Sequence, residues 1–185
     1  MTSSVGTVTL PMANVRHLRL GWSCISSRSL RTLLGSCPQL ESFVYQAGGA
    51  LVGDEQFDSE SLRTLLLRYV PRLKHLELYF VQDCGMREWG KWDDGGDDGG
   101  RDPEPAPGFS SLTHLETLTI DAALLDDWDG QQSVATLFPQ SLRSLTVLSV
   151  YSDAGPRKDE FEAFAATARD PLPNLTAFEI RQGSR

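Results

Sequence analysis

The chain predicts an α/β solenoid: a parallel sheet of short strands, one per unit, with helices on its other side, in about six irregular repeats. Three observations lead there. The hexamer SLRTLL occurs at Ser29–Leu34 and again at Ser61–Leu66, and each copy runs into Pro-x-Leu-x-x-apolar-x-apolar, ending on Phe43 and Tyr45, then on Leu76 and Leu78. The pattern apolar-x-x-apolar-x-apolar recurs from Val15, Leu40, Leu73, Leu115, Leu145 and Leu175, at intervals of 25, 33, 42, 30 and 30 residues. Between several of these segments apolar residues return at helical spacing. Repetition at a few tens of residues marks a solenoid, whose units bury their apolar sides only against their neighbours.

Residues 1–14 form an N-terminal flank, and residues 15–82 hold repeats 1–3. The first strand is set by Leu18 and Leu20, two positions apart, which gives one buried face and one open face. Leu30, Leu33, Leu34 and Cys37 then predict an amphipathic helix. The second strand is set by Phe43 and Tyr45, the next helix by Leu62, Leu65, Leu66, Tyr69 and Val70, and the third strand by Leu76 and Leu78. In both copies of SLRTLL the three leucines are expected in the core, which makes the hexamer structural filling.

Residues 83–110 interrupt the series and account for the long third interval. Between Asp83 and Pro107 eight acids face three bases, so this segment carries -5 of the net charge of -8. Its DDGGDDGG core, with Pro103, Pro105 and Pro107, has the composition of a disordered loop. The aspartates do not follow the acid, glycine and glutamate order of a calcium loop. Trp89 and Trp92 either tuck onto the solenoid, which is the expectation, or await a partner. Residues 111–185 hold degenerate repeats 4–6, with strands set by Leu118 and Ile120, Leu148 and Val150, and Phe178 and Ile180. Phe161, Phe164, Ala165 and Ala168 predict the helix before the last strand, and Pro139 cuts the one before the fifth.

With 185 residues, 40% hydrophobic and 23% charged, the chain can bury a core. No apolar run is long enough for a membrane span, and the N-terminus lacks the basic and apolar regions of a secretory signal. The expected compartment is cytoplasmic, nuclear or both. Cys24, Cys37 and Cys84 are odd in number and lack CxxC spacing, so neither a disulfide framework nor a zinc site is expected. The acidic balance disfavours nucleic acid and anionic membrane as partners.

Strand, turn and helix in units of this length form the leucine-rich repeat pattern, whose strands line the concave side of a horseshoe. The unit from Val15 to Phe43 places Leu18, Leu20, Cys24, Ile25, Leu30, Leu33, Leu34, Cys37, Pro38 and Leu40 as in the cysteine-containing subclass of that repeat. GSCPQLESFVYQAGG and SESLRTLLLRYVPRLKHLEL resemble the repeat regions of fungal F-box proteins, a similarity strongest over Val15 to Tyr79. The resemblance implies a substrate receptor of a cullin-type ubiquitin ligase. In that family an N-terminal helical F-box docks on the ligase adaptor, whereas fourteen residues precede the first repeat here. The adaptor is therefore an expected partner only where an F-box lies upstream. The short RQGSR tail suggests an uncapped last strand, open to pairing.

The expected activity is protein binding on the concave strand face, by residues that flank the buried positions. These are His17, Arg19, Val44, Gln46, His75, Glu77, Tyr79, Thr119, Asp121, Ser149, Tyr151, Glu179 and Arg181, together with Gly21, Ser42, Thr117, Val147 and Ala177. Arg19, Tyr79, Tyr151 and Arg181 are of the types enriched at binding hot spots. No catalytic activity or cofactor is expected, since GxSxG, Gly-rich phosphate loops and HExxH are all missing. His17 and His75 would stand two strands apart, about 9 to 10 Å, too far to share one metal ion. The other reading of the same surface is a scaffold or inhibitor with no ligase role.

Overall fold

A computed structural model describes residues 12–23, 25–48, 59–80, 108–122, 137–149, 166 and 172–182. Among the described residues, six strands form one sheet in chain order: β1 His17–Leu20, β2 Ser42–Ala47, β3 His75–Phe80, β4 Thr117–Asp121, β5 Ser144–Ser149 and β6 Ala177–Gln182. All five junctions are parallel. The helices α1 Ser27–Gly35 and α2 Ser59–Tyr69 pack beside each other. Among the described residues no helix is long and apolar enough to cross a membrane.

One turn opens every strand. The N–H of Val15, Leu40, Leu73, Leu115, Leu142 and Leu175 donates to the carbonyl three residues earlier, at 2.9 to 3.1 Å. Pro38, Pro71 and Pro173 occupy the second position of three of these turns, where a fixed φ favours the bend. The next carbonyl along, on Arg16, Glu41, Lys74, Glu116 and Arg143, accepts two N–H groups of the following strand at 2.8 to 3.1 Å. Every junction therefore has the same register.

That register corrects the fifth repeat. Leu118 lies opposite Leu145 and Ile120 opposite Val147, so the unit begins at Leu142 and not at Leu145. Leu145 and Val147 are buried, and the open positions of β5 are Ser144, Thr146 and Leu148. Val147, expected on the binding face, is thus a core residue.

The sheet's closed face and the helices form one apolar core. Phe43, Tyr45, Leu76 and Leu78 share it with Leu30, Leu34, Leu62 and Leu66. Ser26 caps α1, its Oγ accepting from Ser29 N at 3.3 Å, as an N-terminal serine does when first-turn N–H groups lack helical partners. Tyr45 stacks on Phe43 with centroids 6.2 Å apart, and its hydroxyl donates to Ser23 O at 3.0 Å, tying the loop after β1 to β2. Burial pushes the Cys37 thiol up.

The two SLRTLL copies are not equivalent. Leu30, Leu34, Leu62, Leu65 and Leu66 are buried, whereas Leu33 stays partly exposed, which corrects its placement in the core. Arg31 is exposed, but its counterpart Arg63 is buried. Ahead of β4 a single 3-10 turn, Phe109–Ser111, sets Phe109 and Leu112 into the core. Ahead of β5 the buried pair Leu137 and Phe138 fills the corresponding place. The expected helix around Phe161–Ala168 lies outside the described residues apart from Ala166, which is helical. Residues 83–107, with Trp89 and Trp92, also lie outside them, as do Cys24 and Cys84.

Candidate protein-binding face

Alternation along each strand leaves the second face of the sheet open. The burial of β2 shows this: Phe43, Tyr45 and Ala47 are buried, while Ser42, Val44 and Gln46 remain accessible. Equal registers then set the open side chains in rows. The first row reads His17, Ser42, His75, Thr117, Ser144 and Ala177; the second reads Arg19, Val44, Glu77, Thr119, Thr146 and Glu179. In the third row Gln46 pairs with Tyr79, and Leu148 stands between Asp121 and Arg181.

The expected binding residues divide accordingly. His17, Arg19, Glu179 and Arg181 are exposed, and Val44, Gln46, His75, Glu77, Tyr79 and Thr119 are partly exposed. Asp121 is a correction, because at 2% exposure its side chain is withheld from solvent. Ser149 closes β5 opposite Gln182. Tyr151 lies outside the described residues. Thr146 and Leu148 take the places assigned to Ser149 and Tyr151.

The centre of the face is a hydrogen-bonded column on β3. His75 Nε2 lies 2.7 Å from Glu77 Oε1, and the Tyr79 hydroxyl donates to Glu77 Oε2 at 2.6 Å. Burial pushes the Glu77 carboxyl up, but the hydrogen bonds from Tyr79 and His75, with the charges of His75 and Arg19, outweigh it and hold the group below its usual range. Burial, then the hydrogen bond and charge of Glu77, push the Tyr79 phenol up to about 12. Arg19 and Arg181 oppose that rise from β1 and β6. The column and both flanking cations therefore act within one electrostatic neighbourhood.

Further charges lie at the strand starts, where sequence reasoning did not look. Arg16, Glu41, Lys74, Glu116 and Arg143 occupy one repeat position and alternate in sign. Glu41 bridges two neighbours, Arg16 Nη1 at 2.7 Å and Lys74 Nζ at 2.9 Å, and Arg143 lies 4.0 Å from Glu116. The hydrogen bond and charge of Lys74, helped by Arg16, hold the Glu41 carboxyl below its usual range. The first four members of the alternation stand one residue after the first apolar position of the aligned pattern, and Arg143 joins them once the fifth unit begins at Leu142. Trp22, 66% exposed just past β1, was also missed. Its φ of 49° lies in the left-handed region, uncommon for a bulky side chain.

Of the three histidines, His17 and His75 share a row with Ser42 between them, and His114 is exposed in the turn before β4. Among the described residues no three His, Cys, Asp or Glu side chains gather closely enough to hold a metal ion. The amide of Asn174, within the sequence Asn-Leu-Thr, donates to Gln140 O at 2.8 Å and links successive turns. No protein-family model, curated protein or solved structure matches the chain.

Proposed function

We propose that the chain is a leucine-rich repeat module that binds a protein target on the open, concave face of its sheet, as the substrate-selecting part of an F-box-type ubiquitin ligase receptor inside the cell. The observation that carries the binding reading is the β3 column. Glu77 is held from both sides by His75 and Tyr79, at 2.7 and 2.6 Å, with cations acting from both flanks. Side chains already fixed in the free protein lose less entropy on binding. Tyrosine and arginine, here Tyr79, Arg19 and Arg181, are the types that carry most interface energy. The ligase context comes from the resemblance of Val15 to Tyr79 to fungal F-box repeats.

Affinity capture from the native cell tests both layers. Wild type is expected to retain a defined set of proteins, and Arg19→Ala or Tyr79→Phe to retain less while remaining folded. Equal capture by the variants would remove the open face as the interface. Recovery of the target without any ligase adaptor, using the product of the complete gene, would leave a ligase-independent scaffold.

A further inference from the structure

Trp22 carries backbone strain that its own packing does not offset. Its φ of 49° lies in the left-handed region, which a bulky side chain adopts only under constraint, and its indole is 66% exposed. The constraint comes from β2. Ser23 N donates to Gln46 O at 3.2 Å, the Tyr45 hydroxyl donates to Ser23 O at 3.0 Å, and Ile25 N donates to the Tyr45 hydroxyl oxygen at 3.4 Å. The loop is therefore fixed just beyond Trp22, with the indole in solvent.

The same end of β1 holds a cation without a direct counter-charge. Among the described cations on the strands and at their starts, Arg16 and Lys74 bridge to Glu41, Arg143 lies 4.0 Å from Glu116 and Arg181 pairs with Glu179. Arg19 has no such partner among the described residues; Glu77 feels its charge, but Val44 stands between them in the row. Between Arg19 and Trp22 lies Gly21, where a Cβ would meet only Gln46 Oε1, at 4.0 Å. Gly21 has no positive φ, so the glycine leaves room there without being required by the backbone.

We infer that this corner receives an acidic segment of the protein target, its carboxylate on Arg19 and an aromatic or proline side chain against Trp22, with the segment's backbone over Gly21. The inference rests on the reading of the open face as a protein-binding surface. Charge complementarity selects the occupant: a basic segment would set like charges together, and an uncharged one would cover Arg19 without pairing it.

A phage-displayed library of short random peptides, panned against the whole chain, tests this. The expected enrichment is Asp or Glu beside an aromatic residue or proline. A synthetic peptide of the selected sequence, followed by fluorescence anisotropy, should bind severalfold more weakly as salt is added. Trp22→Asn, Arg19→Ala and Gly21→Gln should each weaken it severalfold. Their thermal midpoints should stay unchanged, or rise in Trp22→Asn, because asparagine tolerates the left-handed conformation. No enrichment, enrichment in Lys and Arg, or a midpoint that falls strongly in Trp22→Asn would overturn the inference. Peptides that lose affinity in Tyr79→Phe but not in Trp22→Asn would overturn this corner alone and leave the open face as the interface. Equal affinity for all four variants would remove both.

Discussion

The Tyr79 hydroxyl donates to Glu77 Oε2 across 2.6 Å, and both side chains stand on the open face of the central strand β3. Burial first, and then the hydrogen bond to the Glu77 carboxylate and its charge, hold the phenol in its protonated form and push Tyr79 up to about 12. A raised pKa stabilises the fold below the ordinary phenol value of about 10, and that contribution is lost as pH rises through the folded value. Alkaline absorbance titration of wild type minus Tyr79→Phe isolates this group among the four tyrosines. Its midpoint is expected near 12, and Glu77→Gln should lower it only partly, because burial remains. A midpoint in the ordinary phenol range would contradict the Tyr79–Glu77 contact.

Glu77 itself titrates in the opposite sense. Its folded pKa is depressed, so its contribution is present above the ordinary carboxylate pKa and lost as pH falls through the lowered folded value. Denaturant midpoints measured over the acidic range should fall less steeply for Glu77→Gln than for wild type. Parallel curves would mean that the hydrogen bonds from Tyr79 and His75 do not outweigh burial.

In β5 the prediction turns on neighbouring leucines. Leu145 is buried opposite Leu118, whereas Leu148 lies on the open face and is partly exposed. Leu145→Ala should cost about 2 to 5 kcal/mol, the range for a core leucine. Leu148→Ala should cost about 1 kcal/mol or less, because only part of its surface left water on folding. Chemical denaturation measures both, and the reverse order would restore the frame that begins at Leu145.

These leucines also show how far the sequence could be read. Five repeats were legible because the first pair of apolar residues two apart after each turn, as in Phe43 and Tyr45 or Phe178 and Ile180, is the pair that the register aligns with its neighbour's. In SLRSLTVLSV, from Ser141 to Val150, both Leu145 with Val147 and Leu148 with Val150 fit the pattern. Only the match to Leu118 and Ile120 on the adjoining strand decides between them. The open face was legible by alternation, including His75, Glu77 and Tyr79. Their hydrogen bonds were not, since alternation places side chains on a face without giving rotamers. The burial of Asp121 escaped for a related reason: position at a strand end does not reveal what covers it. The alternating charges of Arg16, Glu41, Lys74 and Glu116 were overlooked because the aligned pattern scored apolar positions only, and Arg143 joins them only in the frame that begins at Leu142.

The duplicated hexamer gives the last test, because identical residues occupy different surroundings. Leu65 is buried in α2 and its counterpart Leu33 in α1 is partly exposed; Arg63 is buried and its counterpart Arg31 is exposed. If sequence alone set their worth, substitutions in the two copies would cost the same. Burial predicts otherwise. Leu65→Ala should cost about 2 to 5 kcal/mol and Leu33→Ala clearly less. Arg31→Ala should stay within about 0.5 kcal/mol, as exposed substitutions usually do. Arg63→Ala should exceed it, since a buried arginine contributes the packing of its methylene stem as well as its charge. Equal costs in the two copies, measured by equilibrium denaturation, would show that α1 and α2 are buried alike and that the first helix is covered as fully as the second.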